Sequence, residues 1–267
     1  MVALASRNRL GAERAAAFIG PSVRAVSCSE LPRLAARILI AVSDEGIGSV
    51  AQILTDGGMQ SGVALHTCGA KGAGALAVLQ AAGVACGVLH PLQTVVSPDQ
   101  GVRSLEGVSF AVSGDGPALQ WAEEIVARLR GRSLHINADR LSCYHAGAVL
   151  VSNALVAVVD AAVVLLKRAG VAEQDGLLGL EPLARTSLEN IFSRGPKMAL
   201  TGPIARGDVA TVTAHLDALA SAPPTIAALY RAAAQCLVDI GRARGLPEPT
   251  VREFQSAIET SKGGERQ

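Results

Sequence analysis

The sequence predicts an α/β domain with a parallel, doubly wound sheet plus an all-α domain, and two observations lead to this prediction. Over the first 137 residues, short apolar runs alternate with alanine-rich segments of helical length, a pattern typical of strands connected by helices. From residue 138 onward the strand signals stop. The chain then continues as helical segments separated by Gly-Pro, Pro-Pro and Pro-Glu-Pro.

The elements of the first domain follow from these apolar runs. Seven strands are expected, at Val2–Ala5, Val23–Val26, Ile38–Val42, Gly62–His66, Ala85–Leu89, Val108–Val112 and Leu134–Ile136. Four helices are expected between them, at Arg9–Ile19, Ile47–Leu54, Ala70–Ala82 and Ala118–Leu129. The predicted division is residues 1–137 for the α/β domain, 138–261 for the helical domain and 262–267 for a frayed tail, with helices near 177–193, 208–220, 224–244 and 249–260.

Composition and residue spacing give no signal for nucleic-acid binding, a disulfide framework or a metal site. The net charge is +1 and aromatic residues make up 3% of the chain, which gives neither a basic face nor stacking platforms for nucleic acid. The five cysteines lie at irregular spacings without a C-x-x-C pair, which favours a reducing cytoplasm over a disulfide framework. The five histidines lack paired ligand spacing, so no metal site is predicted.

One long apolar segment, Asp139–Gly170, dominates the second half and reads as a single helix. At about 100° per residue, one arc carries Ser142, His145, Ser152, Asn153 and Asp160. Two interpretations stay open: a polar stripe of a buried helix that faces a cleft, or a partly solvated face. A central Asp160 costs on the order of 3 kcal/mol in a bilayer, so a buried helix of a soluble domain or dimer is preferred to a membrane span.

Polar residues follow three of the predicted strands. Val42 and Ser43 close one, Thr67 and Gly69 follow His66 at the end of the next, and His90, Pro91 and Gln93 lie at the end of a third. Ligands on open α/β sheets bind beyond the carboxyl ends of strands, so a site is predicted here. The alternative is structural: an N-cap at Asp44 and two hydrogen-bonded histidines.

Cationic residues mark two more candidate positions. Ser6, Arg7 and Arg9 follow the first apolar run. At the end of the second strand of a nucleotide-binding sheet, arginine suits the 2′-phosphate of NADP. By itself, a solvated loop with two surface cations is the commoner explanation. Thr201 and Arg206 lie in a Gly-rich loop before Asp208, a predicted N-cap. Arg206 suits a substrate carboxylate or is a surface cation.

Five segments together carry a resemblance to a known family: LHPLQT (89–94), SGDGPAL (113–119), YHAGAVLVSN (144–153), PLARTSLEN (182–190) and ALTGPIARGD (199–208). The sequence resembles bacterial Rossmann-like NADP-binding proteins with an uncharacterised helical C-terminal domain, related to pyrroline-5-carboxylate reductase, ketopantoate reductase and the 6-phosphogluconate dehydrogenase-like group. The resemblance covers nearly the whole chain. It implies an N-terminally incomplete Rossmann-like parallel sheet, a helical 6-phosphogluconate dehydrogenase C-terminal-like domain that binds substrate and forms a dimer, and a site between them.

The chain departs from the family pattern at its start, because it begins at what resembles the second strand and lacks the G-x-G-x-x-G turn. That turn holds the cofactor pyrophosphate in the family, so either the start lies further upstream or cofactor binding is weakened.

The functional prediction is an NADP-dependent reductase of a small carbonyl or imine acid, ketopantoate-like or pyrroline-carboxylate-like. His145 is the candidate general acid, because an imidazole titrates near neutrality. Asn153 and Ser152 would orient the substrate, and Arg206 would hold a carboxylate. The alternative is a non-catalytic nucleotide-sensing or dimerising scaffold.

Overall fold

Seven strands in the first half of the chain form two separate sheets in the computed structural model, which describes residues 1–260. The strands are β1 (Ala3–Leu4), β2 (Arg24–Ala25), β3 (Arg37–Ile40), β4 (Val63–His66), β5 (Ala85–Pro91), β6 (Ser109–Gly114) and β7 (Arg132–His135). All seven predicted strands are therefore present, each within a few residues of its predicted bounds.

The larger sheet has the order β3-β4-β5-β6-β7, and β1 and β2 form a parallel pair of their own. Three of the four pairings in the larger sheet are parallel. The pairing of β5 with β6 is antiparallel, with Gly87 opposite Gly114 and Pro91 opposite Phe110. The predicted α/β fold is confirmed, with a sheet that is mostly rather than wholly parallel.

Six helices accompany these strands, joined by 3₁₀ turns at Cys28–Arg33, Ala73–Leu76 and Ala138–Arg140. They are α1 (Arg9–Ile19), α2 (Gly46–Asp56), α3 (Ala77–Ala81), α4 (Pro98–Ser104), α5 (Gly116–Arg128) and α6 (Leu141–Val151). The predicted helix Ala70–Ala82 was too long, because its first half is a loop and a 3₁₀ turn that contain Gly72 and Gly74. Glycine disfavours an α-helix in such a segment.

Alternate residues of the central strands pack into two hydrophobic cores, one on each face of the sheet. Ala64 of β4 packs with Ile38, Ile40 and the apolar residues of α2 and α3 on one face. Val63 and Leu65 pack with β6 and α5 on the other face. Because successive side chains of a strand point to opposite faces, the apolar β4, which is buried on both sides, produces a three-layer domain.

The rest of the described chain is helical, as predicted. It contains α7 (Asn153–Arg168), α8 (Glu173–Arg194), α9 (Pro196–Ala199), α10 (Gly202–Arg206), α11 (Val209–Leu219), α12 (Pro224–Ala243) and α13 (Glu248–Thr260). Its core joins α10 to α13 through residues that include Val212, Val238 and Phe254, all at 0% exposure. The predicted tail at residues 262–267 lies outside the described residues.

The chain divides into two compact units, one of Met1–Ser152 and one that begins at Asn153. Helix α6 thus belongs to the α/β unit, whereas the predicted division at Asn137 gave it to the helical domain. The two divisions differ because α6 contacts the α/β unit: Ser142 and His145 lie against the loop after β4, and Tyr144 bonds His90 of β5.

The single helix predicted over Asp139–Gly170 is wrong, because the helix is interrupted at Ser152 between α6 and α7. The Ser152 hydroxyl donates to the Ala148 carbonyl at 2.8 Å, a local bond that competes with the helical ladder and bends helices. The expected burial is also absent within this chain: Leu150 is 69% exposed and Val156 is 71% exposed.

By length and composition the segment Ala138–Arg168 is apolar enough to cross a membrane. One such helix is weak evidence for a membrane protein, because the test uses length and composition only.

Candidate functional site

Two histidines and a tyrosine converge where β5 ends. His90 lies near the carboxyl end of β5, and Tyr144 and His145 lie in the first turns of α6. The His90 Nδ1 atom is 2.9 Å from the Tyr144 hydroxyl, a hydrogen bond that links strand to helix. The rings of His90 and His145 meet edge to face with centroids 5.7 Å apart. We call His90, Tyr144 and His145 the His–Tyr cluster.

Gly69, in the loop after β4, forms the floor of this cluster. A β-carbon at Gly69 would lie 2.7 Å from His90 Nε2 and 2.7 Å from His145 Cδ2. Real β-carbons do not approach ring atoms so closely, so the cluster requires a residue without a side chain at this position. The predicted cofactor residue Gly69 therefore has a local packing role against both histidines.

His66 is a structural histidine. It is the only buried polar side chain among the described residues, at 0% exposure. The backbone N–H of Cys68 donates to its Nδ1 at 3.2 Å, so Nδ1 carries no proton and Nε2–H donates to the Gly72 carbonyl at 3.0 Å. Burial lowers the pKa of His66, which keeps the ring neutral and fixes the shape of the loop between residues 66 and 72.

The same loop is tied to the end of β3. The Lys71 ammonium donates to the Asp44 backbone carbonyl at 2.8 Å, and the Ser142 hydroxyl lies 3.4 Å from the Ala70 carbonyl. Burial and a hydrogen bond with Asp44 raise the pKa of the Cys68 thiol. Cys68 is thus a protonated, packed thiol rather than a nucleophile.

Electrostatics in the cluster favour a neutral His90. Burial, then the nearby His145, lower the pKa of His90, and the Asp44 carboxylate opposes this shift. Burial raises the pKa of Tyr144, so its phenol keeps its proton. A neutral imidazole beside a neutral phenol can donate or accept one hydrogen bond without carrying charge.

The structure brings most of the predicted strand-end residues to one edge of the sheet. Val42 and Ser43 follow β3, Thr67 follows β4, and its N–H bonds the Ile40 carbonyl at 3.2 Å; Pro91 ends β5. Gln93 differs, because its amide donates to Ser104 O at 3.2 Å and accepts from Thr94 N at 2.9 Å. Through these two bonds, the Gln93 side chain stabilises the loop in which it lies.

The basic turn after β1 is exposed. Asn8 caps α1 through a bond from Gly11 N to Asn8 Oδ1, and Ser6 precedes it. Arg9 pairs with Glu13 at 2.9 Å on the helix surface. Arg7 is exposed and makes no ion pair within residues 1–260, so it is the freer cation for a phosphate.

The remaining predicted residues lie at or beyond the boundary between the units. Asn153 is the first residue of α7, and Thr201 is the residue before α10. Arg206 ends α10 and is exposed beside Asp208. Asp208 caps α11 as predicted, accepting from Thr211 N at 3.0 Å.

Sequence reasoning missed Tyr144. The arc on the predicted helix was defined by its polar side chains, and tyrosine was counted as apolar, so Tyr144 was left out. The signal was present in the order Tyr144-His145, which follows a predicted strand end that carries His90.

The fit to a dinucleotide is partial. Gly46 and Gly48 open α2 with the spacing G-x-G-x-x-A, and a β-carbon at Gly48 would meet nothing within 4 Å. The exposed Asp44 and Glu45 precede this helix and would oppose a diphosphate. Among residues 1–260, no group of three or more His, Cys, Asp or Glu side chains could hold a metal ion.

A mostly parallel sheet with helices on both faces, polar groups at its strand ends and a helical C-terminal unit define the Rossmann-like class of dehydrogenase folds. Residues 108–236 match the family model described as Domain of unknown function (DUF2520). No curated protein matches the sequence.

Solved structures confirm this fold. A protein from Thermotoga maritima is 20% identical over 90% of each chain, with a TM-score of 0.72. A protein from Bacteroides fragilis, provisionally described as an NADP oxidoreductase, is 20% identical over 90% of this chain and 88% of its own, with a TM-score of 0.65. Pyrroline carboxylate reductase from Plasmodium falciparum, solved with NADP bound, is 14% identical over 98% and 96%, with a TM-score of 0.53. The resemblance to Rossmann-like NADP-binding reductases inferred from the sequence is thereby confirmed at the level of the fold.

Proposed function

We propose that this chain is an NADP-dependent oxidoreductase that reduces the C=O or C=N group of a small acid. The observation that carries the proposal is the convergence of His90 and His145 above Gly69, at the edge of the sheet where Rossmann-like folds bind their ligands. Two solved relatives of this fold are described as NADP-binding or as an NADP oxidoreductase.

The residues that would hold NADP are Ser6, Arg7 and Arg9 for the 2′-phosphate and Val42, Ser43, Thr67, Gly69 and Pro91 along the strand ends. When bound, the nicotinamide supplies a hydride. Arg7 suits the phosphate because its guanidinium is exposed and makes no ion pair in the described chain.

His145 would donate the proton that the substrate oxygen or nitrogen takes up as its carbon is reduced. Its ring is half-buried and meets the ring of His90 edge to face, so both imidazoles could act on one small acceptor. Ser152 and Asn153 would orient the substrate, with Thr201 and Arg206 binding its carboxylate.

The test first measures the binding of NADPH to the full chain, using the fluorescence of NADPH. NADPH oxidation is then measured with 2-oxo acids such as ketopantoate and cyclic imines such as pyrroline-5-carboxylate. His145→Ala should lower the rate by about 10²- to 10⁴-fold, the usual contribution of a general acid. His135→Ala is the matched control, because His135 is a surface histidine of the same unit that pairs with Glu123.

The second candidate function is a non-catalytic scaffold, favoured by the acidic residues Asp44 and Glu45 before α2. NADPH that binds without any turnover supports a sensing scaffold. Absence of NADPH binding refutes the reductase and leaves a dimerising scaffold.

We also propose a homodimer formed through the apolar surface of residues 149–158. Leu150, Val151 and Val156 are each more than 60% exposed, and monomeric soluble proteins rarely expose such contiguous patches. Val156→Glu should convert a dimer to a monomer in light scattering. The control is Val102→Glu, because the side chain of Val102 in helix α4 is similarly exposed, at 67%. A wild-type monomer at micromolar concentration would contradict the proposal.

The five cysteines are unpaired in the structure, which supports a reducing compartment such as the cytoplasm.

A further inference from the structure

The Tyr144 hydroxyl has one hydrogen bond within residues 1–260, to His90 Nδ1 at 2.9 Å. The rings meet almost perpendicularly, with an interplanar angle of 87° and centroids 5.6 Å apart. In this arrangement the hydroxyl lies at one nitrogen of the imidazole. The other nitrogen, Nε2, lies 2.7 Å from where a β-carbon of Gly69 would stand.

The chemistry of the two groups sets the direction of this bond. A phenol has a pKa of about 10 and an imidazole nitrogen takes up a proton with a pKa of about 6.5, so O–H is the better donor and the imidazole nitrogen the better acceptor. With Tyr144 donating to Nδ1, a neutral His90 carries its proton on Nε2. The Nε2–H group forms no hydrogen bond within residues 1–260, so its proton is not committed to another group of the described chain.

We propose that Tyr144 is a positioning residue that fixes His90 in the Nε2–H form, so that this N–H binds the oxygen or nitrogen of the substrate's C=O or C=N group. The proposal rests on the proposed reductase function and assigns the two histidines different tasks. His90 acts as a neutral hydrogen-bond donor that polarises the double bond, and His145 supplies the proton.

The surroundings of His90 agree with a neutral donor. His145 faces it from α6, Tyr144 faces it from the same helix, and Asp44 acts on it from the loop after β3. Burial and the second histidine lower the pKa of His90, which outweighs the carboxylate of Asp44. A protonated His90 would place a positive charge against the ring of His145.

The chain contains its own control for this geometry. In the helical unit, His215 Nδ1 lies 2.8 Å from the Tyr230 hydroxyl, with ring centroids 5.9 Å apart and an interplanar angle of 86°. This pair reproduces the His90–Tyr144 contact within the other unit of the chain. Tyr230→Phe therefore removes an equivalent hydrogen bond without touching the proposed site.

The experiment is ¹⁵N NMR of the five histidine rings in the full chain, with the His90 signal assigned by its loss in His90→Gln. The wild-type protein should show His90 as the Nε2–H tautomer. Tyr144→Phe should shift His90 to a mixture of tautomers, and Tyr230→Phe should leave His90 unchanged while changing His215.

Kinetics supply the second arm. Tyr144→Phe should lower kcat by roughly 3- to 10-fold, the value of one neutral hydrogen bond, without changing the KM for NADPH. His90→Gln places an amide N–H near the Nε2 position, so in that background Tyr144→Phe should have no further effect. His90→Asn, which places the amide near Nδ1, should lose more activity than His90→Gln.

An Nδ1–H tautomer in the wild-type protein, or a tautomer unchanged by Tyr144→Phe, overturns the assignment. If Tyr144→Phe does not fold, equal activities of His90→Gln and His90→Asn overturn it instead. The NMR arm needs no cofactor, so a failure of the reductase function, seen as no NADPH oxidation by the wild-type protein, is distinguished from a failure of the Tyr144 role.

Discussion

Gly69→Ala tests whether the two histidines are held as closely as the structure shows. The new β-carbon would lie 2.7 Å from ring atoms of both His90 and His145. Since ordinary contacts begin near 3.4 Å, both rings, or the Gly69 backbone itself, must move by several tenths of an ångström. His145 lies on α6, and His90 is held by β5 and by its bond to Tyr144.

The expected cost is about 1–3 kcal/mol of folding free energy, the range for overpacking a well-filled site. Breaking the His90–Tyr144 bond would relieve the clash with His90, though not the one with His145, at a cost of about 0.5–1.5 kcal/mol. Gly69→Ala should therefore destabilise the protein less in a Tyr144→Phe background, because His90 is then free to rotate. The reductase rate should fall together with stability.

Urea unfolding of the four proteins in this double-mutant cycle measures both effects. Gly48→Ala is the matched control, because its β-carbon would meet nothing within 4 Å in helix α2. That substitution should stabilise the protein by about 0.5–1 kcal/mol. A cost below a few tenths of a kcal/mol for Gly69→Ala, with unchanged His90 and His145 spectra, would refute the packing argument.

Two further predictions concern buried groups. His66→Ala should destabilise the protein by about 3–5 kcal/mol in urea unfolding, because it leaves two backbone groups unpaired and a cavity; full two-state unfolding at the wild-type midpoint would contradict this. Because burial lowers the folded-state pKa of His66, its contribution to stability is fully present above the unfolded-state pKa of about 6.5 and declines as the pH falls toward the folded-state value. For the thiols, burial raises the pKa of Cys86 to about 12, so the exposed Cys143 and Cys236 should react first with a disulfide reagent at pH 8. Rapid labelling of Cys86 in the folded protein would count against its burial.

Much of the fold followed from periodicity. The bounds of α1 were predicted at Arg9–Ile19, and every predicted strand exists, because apolar runs and turn residues are local signals. The direction of β6 was not predictable from its own residues, since an apolar run has no polarity. The break at Ser152 carries no Pro or Gly at that position, so helical spacing alone does not reveal it.

Local polarity in the sequence marked some residues of the candidate site but not others. His90 and His145 were singled out as polar residues at a strand end and on a helix, and the structure brings their rings together. His66 was equally prominent in the sequence, yet its two backbone hydrogen bonds make it structural. Tyr144 and the close packing at Gly69 depend on tertiary contacts between β5, α6 and the loop after β4.

The reversal at β6 makes β6 and β7 run opposite to β3, β4 and β5. Ser113, His135 and Asn137 line a hollow of about 410 Å³ after these two strands. The chain continues from this hollow through the turn Ala138–Arg140 into α6, which carries Tyr144 and His145. A substitution in the hollow that shifts this turn would therefore also change the His–Tyr cluster.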